Sequence, residues 1–233
     1  MEEDYLLRVC GLPHDKVEIG APSQSDVGSV QTNHGSHIVF FSESYEVGDG
    51  RAKDFYRDVL PRLANLAISE GRELVVKLHP AESASERHQM IRQLLRPEQL
   101  RITRLVTGRL QEDLFQHTWF AVTVLSTITT ECAVRGIPCF LCKWLESWPY
   151  GYIEQFDKFG VGIRLDRPEE ISDIPQRLSR NVSGPEIQKN CWQPIAPARL
   201  KHLLDIGGED ELVRQSMDGA KINTATPDLR PKT

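Results

Sequence analysis

Short apolar runs rich in β-branched residues alternate along this chain with longer segments in which apolar residues recur every three or four positions. Runs of about five residues with this composition are typical of strands buried on both faces of a sheet. The pattern therefore predicts five strands and a short sixth one, at residues 37–41, 74–78, 102–106, 120–125, 137–141 and 162–165.

The segments between these runs predict helices. Residues 53–69 carry an apolar stripe, although Pro61 interrupts it and predicts either a kink or two shorter helices. Ser83-x-x-Glu86 is a capping box ahead of a second helix. Shorter helices are predicted at 110–117 and 127–135. Strands separated by single helices require right-handed crossovers, so the sequence predicts an α/β fold, a Rossmann-like doubly wound parallel sheet of five to six strands.

The polarity of the chain divides it into three predicted parts. Residues 1–36 begin with a short helix-like piece and continue as a Gly-, Ser- and Pro-rich lead-in segment. Residues 37–206 form the predicted folded domain, which ends in a helix at 194–206. Residues 207–233 contain few apolar residues that could pack, and they are predicted to be disordered.

Charge and composition limit the classes of function. A formal net charge of −5 and a pI near 5.8 argue against a general nucleic-acid-binding protein. Apolar runs stay far below the roughly 20 residues that a membrane helix needs, and the acidic start is unlike a signal peptide. We therefore expect a cytoplasmic protein with no nucleic-acid partner and no membrane span.

Five cysteines are scattered through the chain, and two of them, Cys139 and Cys142, form a Cys-x-x-Cys pair. This pair lies in a predicted strand, whose alternation sends the two thiols to opposite faces of the sheet. A zinc site would need two further ligands, and the sequence has no second Cys-x-x-Cys. The sequence predicts reduced structural thiols and no metal site.

Polar residues follow three of the predicted strands, at the edge where ligands bind in open α/β sheets. His79 can donate to a phosphate oxygen or protonate a leaving phosphate, and Lys77 shares its face of the strand. The alternative is a strand-end histidine beside a lysine whose charged end reaches solvent. Ser42 and Ser44, at the end of the first strand, form a third candidate phosphate-binding loop.

Ser126 and Thr127 lie where the fourth predicted strand enters a helix. Unpaired backbone N–H groups and the two hydroxyls suit a phosphate there, although either residue could simply cap the helix. Glu131 could accept hydrogen bonds from ribose, or could serve only as favourable charge near the helix start. An aromatic cluster at residues 144–156 either walls a base or sugar or forms a packing surface.

Three segments together resemble a known family. "VVKLHP" at 75–80 and "VLSTITTECAVRGIPCF" at 124–140 resemble the HP and Ser-Ser/Thr motifs of the carboxyl-terminal, donor-nucleotide domains of GT-B glycosyltransferases. "CGLPHDKVEIGAPSQSD" at 10–26 is similar to the hinge segment leading into that domain. The similar families are bacterial sialyltransferases and polysialyltransferases, and capsule or teichoic-acid polymerases that use CDP-activated donors.

The resemblance implies one Rossmann-like half of a GT-B fold. It implies that His79, Ser126 and Thr127 contact the donor phosphate, with His79 and Ser126 facing one phosphate from neighbouring strands, and that Glu131 contacts ribose. The donor would be a CMP-, CDP- or UDP-linked sugar, bound as a substrate with no further cofactor and no metal. The acceptor site and the general base would come from an amino-terminal domain, supplied here by another domain or chain. No catalytic residue is identified from this sequence.

Three functions remain open at this point. The first is the donor-binding domain of a glycosyltransferase for surface polysaccharide synthesis, of the capsule or sialic-acid type, which is inactive as an isolated chain. The second is a UDP-sugar 2-epimerase-like domain, because those enzymes share the two-domain architecture. The third is a non-catalytic interaction domain that uses its aromatic surface to bind a partner.

Overall fold

The computed structural model describes residues 4–14, 17, 35–43, 52–146 and 151–180. All of them belong to one compact unit, Met1–Gln193, whereas a second unit, Pro194–Thr233, lies outside the described residues. The helix predicted at 194–206 and the disordered tail predicted at 207–233 also lie outside them, so these domain boundaries stay predictions.

Six strands in the described residues form one parallel sheet, in the order β3-β2-β1-β4-β5-β6. They are β1 (His37–Phe41), β2 (Glu73–Lys77), β3 (Thr103–Val106), β4 (Thr118–Thr123), β5 (Cys139–Cys142) and β6 (Ile163–Leu165). Strand β1 lies in the middle of the sheet. β2 and then β3 extend the sheet on one side of β1, and β4, β5 and β6 extend it on the other side. This order confirms the predicted α/β, Rossmann-like, doubly wound sheet.

Seven α-helices connect or follow these strands within the described residues. They are α1 (Ala52–Ser69), α2 (Ala84–Leu94), α3 (Pro97–Arg101), α4 (Glu112–Gln116), α5 (Ile128–Val134), α6 (Tyr152–Lys158) and α7 (Ile174–Arg180). Pro61 lies inside α1, so the division into two shorter helices is wrong. The Ser83 hydroxyl accepts a hydrogen bond from the Glu86 backbone N–H, which confirms that Ser83 caps α2. In the described part of the chain, every helix is too short or too polar to cross a membrane.

The two faces of the sheet bury two separate hydrophobic clusters. Alternate residues of β1 show this: Ile38 and Phe40 pack with α1, α2 and α7, whereas Val39 and Phe41 pack with α4, α5 and α6. These four side chains are buried because β1 is covered on both faces. The run at 38–41 is continuously apolar because both faces of β1 are covered, which confirms the predicted buried parallel strand.

The two thiols of the Cys-x-x-Cys pair lie on opposite faces of the sheet. Cys139 belongs to the cluster under α5 and α6, and Cys142 belongs to the cluster under α1. Both are buried free thiols, as is Cys132, whereas Cys10 is exposed. Burial raises the pKa of the Cys142 thiol, and the nearby Glu43 carboxylate raises it further. The alternation argument for this pair is confirmed.

Strand β4 begins and ends two residues earlier than predicted. It covers Thr118–Thr123, whereas the apolar run suggested 120–125. Val124 and Leu125 leave the strand because their backbone N–H groups donate to the Glu43 carboxylate, at 3.0 and 2.6 Å. A side chain from the end of β1 therefore determines where β4 stops.

Candidate functional site

The reversal of strand order places a crevice between the carboxyl ends of β1 and β4. Ligands of open α/β sheets bind in such a crevice. Ser42 and Glu43 follow β1 on one side, and residues 124–127 follow β4 on the other. The loop that carries His79 follows β2, which is the other neighbour of β1.

His79 and Ser126 do not come from neighbouring strands, so that part of the sequence prediction is wrong. β1 lies between β2 and β4. Because adjacent strands are about 4.8 Å apart, the axes of β2 and β4 are about 10 Å apart. The sequence contains no signal for this order, because strand order depends on how the crossovers pack.

The Glu43 carboxylate occupies the crevice. Its Oε1 atom accepts hydrogen bonds from the Thr123 hydroxyl at 2.8 Å and from the backbone N–H groups of Val124 and Leu125. Burial raises the pKa of Glu43, and these hydrogen bonds together with the nearby His79 partly oppose the increase. Glu43 therefore connects the end of β1 to the start of the turn that carries Ser126 and Thr127.

The ring of His79 is exposed and oriented by its own loop. Its Nδ1 atom accepts a hydrogen bond from the Ala81 backbone N–H at 3.2 Å. Because Nδ1 is the acceptor, the ring proton of the neutral imidazole is assigned to Nε2. His79 therefore presents an N–H donor at Nε2, which suits a phosphate oxygen.

Glu82 fixes the backbone of the loop that carries His79. Its Oε2 atom accepts from the His79 N–H at 2.9 Å, and the Glu82 N–H donates to the His79 carbonyl at 3.0 Å. Its Oε1 atom accepts from the Ser42 hydroxyl, the Tyr56 hydroxyl and the Arg87 Nε–H, at 2.9, 3.2 and 2.8 Å. Exposure is 0% for the Glu82 side chain and 3% for that of Arg87, so a buried ion pair underlies this loop.

Tyr56 and Ser42 complete this buried network. The two hydroxyl oxygens lie 2.7 Å apart. Burial first, and then the charge of Glu82, raise the pKa of Tyr56 well above its usual value. Tyr56 therefore keeps its proton and shares it between the Ser42 oxygen and Glu82. Ser42 is bonded inside the network, and its predicted contact with a ligand phosphate stays a prediction.

Lys77 is buried at the end of β2 and donates to two backbone carbonyls. Its Nζ atom lies 2.7 Å from the Leu78 oxygen and 2.9 Å from the Gly108 oxygen. Burial lowers the pKa of Lys77, and Glu82 partly opposes this. These bonds tie the end of β2 to the loop after β3 and use two of the three ammonium protons. A phosphate contact for Lys77 stays a prediction.

Ser126 and Thr127 form the turn ahead of α5. The Ser126 hydroxyl accepts from the Ile128 N–H at 3.3 Å within this turn, whereas the N-cap residue of α5 is Thr127. Thr127 is exposed and makes no side-chain cap hydrogen bond. Because α5 has only seven residues, its dipole adds little. The hydroxyls, especially that of Thr127, are the groups that the turn offers to a ligand.

Glu131, the predicted ribose contact, is engaged in an ion pair. Its Oε2 atom accepts from Arg135 Nη1 at 2.7 Å, and Arg135 also pairs with Glu112 at 3.0 Å. The Arg135 guanidinium lies over the Phe115 ring, 4.2 Å from its centroid. Glu131 thus helps to tie α5 to α4, and its ribose contact stays a prediction.

Other predicted groups are only partly described. Ser44, Trp148 and Tyr150 lie outside the described residues. Tyr152 packs edge-on against Phe156 and Tyr5, both at 5.1 Å between ring centroids, which favours the packing interpretation for that part of the aromatic cluster. Among the residues that the structure describes, no three His, Cys, Asp or Glu side chains are grouped to hold a metal ion.

Comparison with known proteins identifies the class of fold. No family model and no curated protein matches this chain. The solved Staphylococcus aureus MnaA–UDP structure is similar, with a TM-score of 0.53 and 12% identity over 74% of this chain and 46% of that one. A putative UDP-N-acetylglucosamine 2-epimerase from Listeria monocytogenes has a TM-score of 0.46 and 14% identity, over 78% and 47% of the two chains. Thermosulfurimonas dismutans KpsC, a β-Kdo 2,4 transferase, has a TM-score of 0.35 and 18% identity, over 72% and 48%.

The domain has the Rossmann-like fold that forms one half of a GT-B fold. The chain spans a little under half the length of the solved structures it matches. At these identities the similarity concerns the fold alone. Function must therefore be argued from the crevice and its side chains.

Proposed function

We propose that this domain binds the nucleotide of a sugar donor and forms the donor half of a glycosyltransferase. The observation that supports the proposal is that two groups of donors follow strand ends on either side of β1, and that His79 lies near enough to Glu43 to lower its pKa. The Nε2–H of His79 lies on the β2 side and the hydroxyls of Ser126 and Thr127 lie on the β4 side. Both are suited to phosphate oxygens.

The spacing of the strands that precede these groups favours a diphosphate. The strands that carry them are about 10 Å apart, so one phosphate group cannot easily reach both sides. Two linked phosphates span more of that gap, with one near His79 and the other near Thr127. The proposed ligand is therefore a UDP- or CDP-sugar in preference to a CMP-sugar. His79 would stabilise the negative charge that develops on the leaving phosphate.

The partner and pathway belong to the same proposal. The acceptor sugar and the general base would come from a second domain or chain, so that the present chain alone transfers no sugar. The reaction would serve surface polysaccharide synthesis, in keeping with the motifs at 75–80 and 124–140.

Calorimetric titration with UDP, CDP and CMP tests this proposal. We expect UDP or CDP to bind, and we expect His79→Ala to weaken that binding at least tenfold because a phosphate loses a donor. His88→Ala is the matched control, since His88 is an exposed histidine of α2 that is not among the proposed ligand contacts. Absence of binding by all three nucleotides, or equal effects of the two substitutions, would contradict the proposal.

A UDP-sugar 2-epimerase-like function is the second candidate, and the similarity to a UDP-bound structure keeps it open. Incubation with UDP-N-acetylglucosamine and no acceptor separates the two. Formation of the epimer or of free UDP favours the epimerase-like function.

A further inference from the structure

Two adjacent residues at the end of β1 form hydrogen bonds to opposite neighbours, one towards the loop after β2 and the other towards the turn after β4. Ser42 donates to Glu82, which holds the His79 loop, and Glu43 accepts from the residues that follow β4. We name Ser42, Glu43 and Glu82 the crevice brace. Through it, the two segments proposed to contact phosphate are both joined to the end of β1.

We propose that Glu43 and Glu82 are positioning residues, which hold His79 and the Ser126–Thr127 turn at the separation that a nucleoside diphosphate requires. This inference rests on the proposed function and goes beyond it, because neither carboxylate is among the residues expected to contact the ligand. The brace acts on the ligand only through His79, Ser126 and Thr127.

On the β4 side, one carboxylate oxygen determines the course of the chain. Oε1 of Glu43 accepts all three hydrogen bonds, and Val124 is buried at 3% exposure. Without this acceptor, the N–H groups of Val124 and Leu125 would lack a partner, and a buried N–H without one is unfavourable. The turn would then move to find other partners, and the hydroxyls of Ser126 and Thr127 would move with it.

Glu43 also restricts where a phosphate can bind. The backbone N–H groups of Val124 and Leu125 point to one position and would suit an anion, but the Glu43 carboxylate already occupies it. A ligand phosphate therefore has to bind further along the turn. This places it beside the exposed Thr127 hydroxyl.

On the β2 side, hydrogen bonds fix both the backbone and the ring of His79. Glu82 bonds both the N–H and the carbonyl of His79, and Ala81 bonds Nδ1. Only Nε2 of the ring remains to face the crevice. Arg87 compensates the buried charge of Glu82, which is why the carboxylate can lie beneath the loop.

Two measurements on Glu43 variants test the inference. Glu43→Ala removes the acceptor, whereas Glu43→Gln keeps an amide oxygen for the same three donors. We expect Glu43→Ala to speed hydrogen exchange at the Val124 and Leu125 amides at least tenfold and to weaken UDP binding at least tenfold. Glu43→Gln should stay within threefold of the wild type in both, and Glu70→Ala, at an exposed glutamate of the α1–β2 connection, should change neither.

The outcomes separate this inference from the proposed function. If the wild type does not bind UDP, the proposed function fails and the positioning role fails with it. If the wild type binds and Glu43→Ala frees the amides without weakening binding, only the positioning role is overturned. Equal weakening by Glu43→Gln and Glu43→Ala would assign the effect to the charge of Glu43, which would also overturn the role. Because Glu82→Gln leaves Arg87 without its charged partner and endangers folding, the Glu43 pair carries the test.

Discussion

Carboxylates at the crevice form most of their contacts with groups that are distant in the chain. Glu43 bonds residues about 80 positions later, and Glu82 bonds Ser42, 40 positions earlier. Each accepts several hydrogen bonds, which offsets the unfavourable burial of its charge. We therefore propose a positioning role for these carboxylates, and a ligand-contact role for the hydroxyls and His79.

The raised pKa of Glu43 predicts a pH-dependent effect on stability. A raised pKa means that the folded state favours the protonated carboxyl, so this contribution to stability is fully present below the ordinary value of 4.5. It is lost as the pH rises from there through the raised pKa. Across this interval we expect the free energy of unfolding to fall with rising pH for the wild type more than for Glu43→Gln, because glutamine cannot ionise.

Urea unfolding of both proteins between pH 4 and pH 8 measures this difference. His79 and Cys142 are the titratable groups that interact with Glu43, so the curve should be repeated in a His79→Ala background. Glu70→Gln should follow the wild type at every pH. A constant difference between Glu43→Gln and the wild type would show that Glu43 titrates normally.

At the scale of elements, the helix that begins at the candidate site depends on one arginine. Arg135 pairs with Glu131 in α5 and with Glu112 in α4, and its side chain is 6% exposed. Because α5 has only seven residues, tertiary contacts must stabilise it. The site therefore relies on the α4–α5 contact as well as on the sheet.

We expect Arg135→Ala to lower the free energy of unfolding by about 2 kcal/mol, less than for a fully buried pair because Glu112 is partly exposed. The substitution removes both ion pairs and the packing over Phe115. Arg101→Ala is the matched control, because Arg101 is an exposed residue of α3. Similar small effects of both, measured by urea unfolding, would contradict this role for Arg135.

At the scale of the whole molecule, stability should fall from the middle of the sheet to its edges. β1 is hydrogen-bonded on both sides and its last four residues are buried, whereas no residue of β3, the strand at one edge, is fully buried. Central strands exchange amide hydrogens mainly through global unfolding, and edges exchange through local opening.

Hydrogen exchange followed by mass spectrometry tests this order. We expect peptides from β1 and β4 to exchange at least tenfold more slowly than peptides from β3. Saturating UDP should further protect the peptides that contain His79 and residues 124–127, and leave β3 unchanged. Equal protection of β1 and β3 would mean that another surface covers the β3 edge.

Much of the fold follows from the sequence because it depends on local patterns. Runs of apolar residues such as 37–41 can be stable only when both faces are covered, and the helices between them require parallel strands. The alternation that separated Cys139 from Cys142 is equally local. The short helices α3, α6 and α7 were not predicted, because their few turns carry no clear period and depend on tertiary packing.

The sequence by itself determined that the chain forms an α/β sheet and that His79, Ser126 and Thr127 follow strand ends. Only the tertiary structure decided that β1 separates the two segments proposed to contact phosphate, and that Glu43 and Glu82 join them across it. The physical reason is sequence separation. A strand period or a helix cap involves a few neighbouring residues, whereas the contact of Glu43 with Leu125 exists only after two strands far apart in the chain have paired.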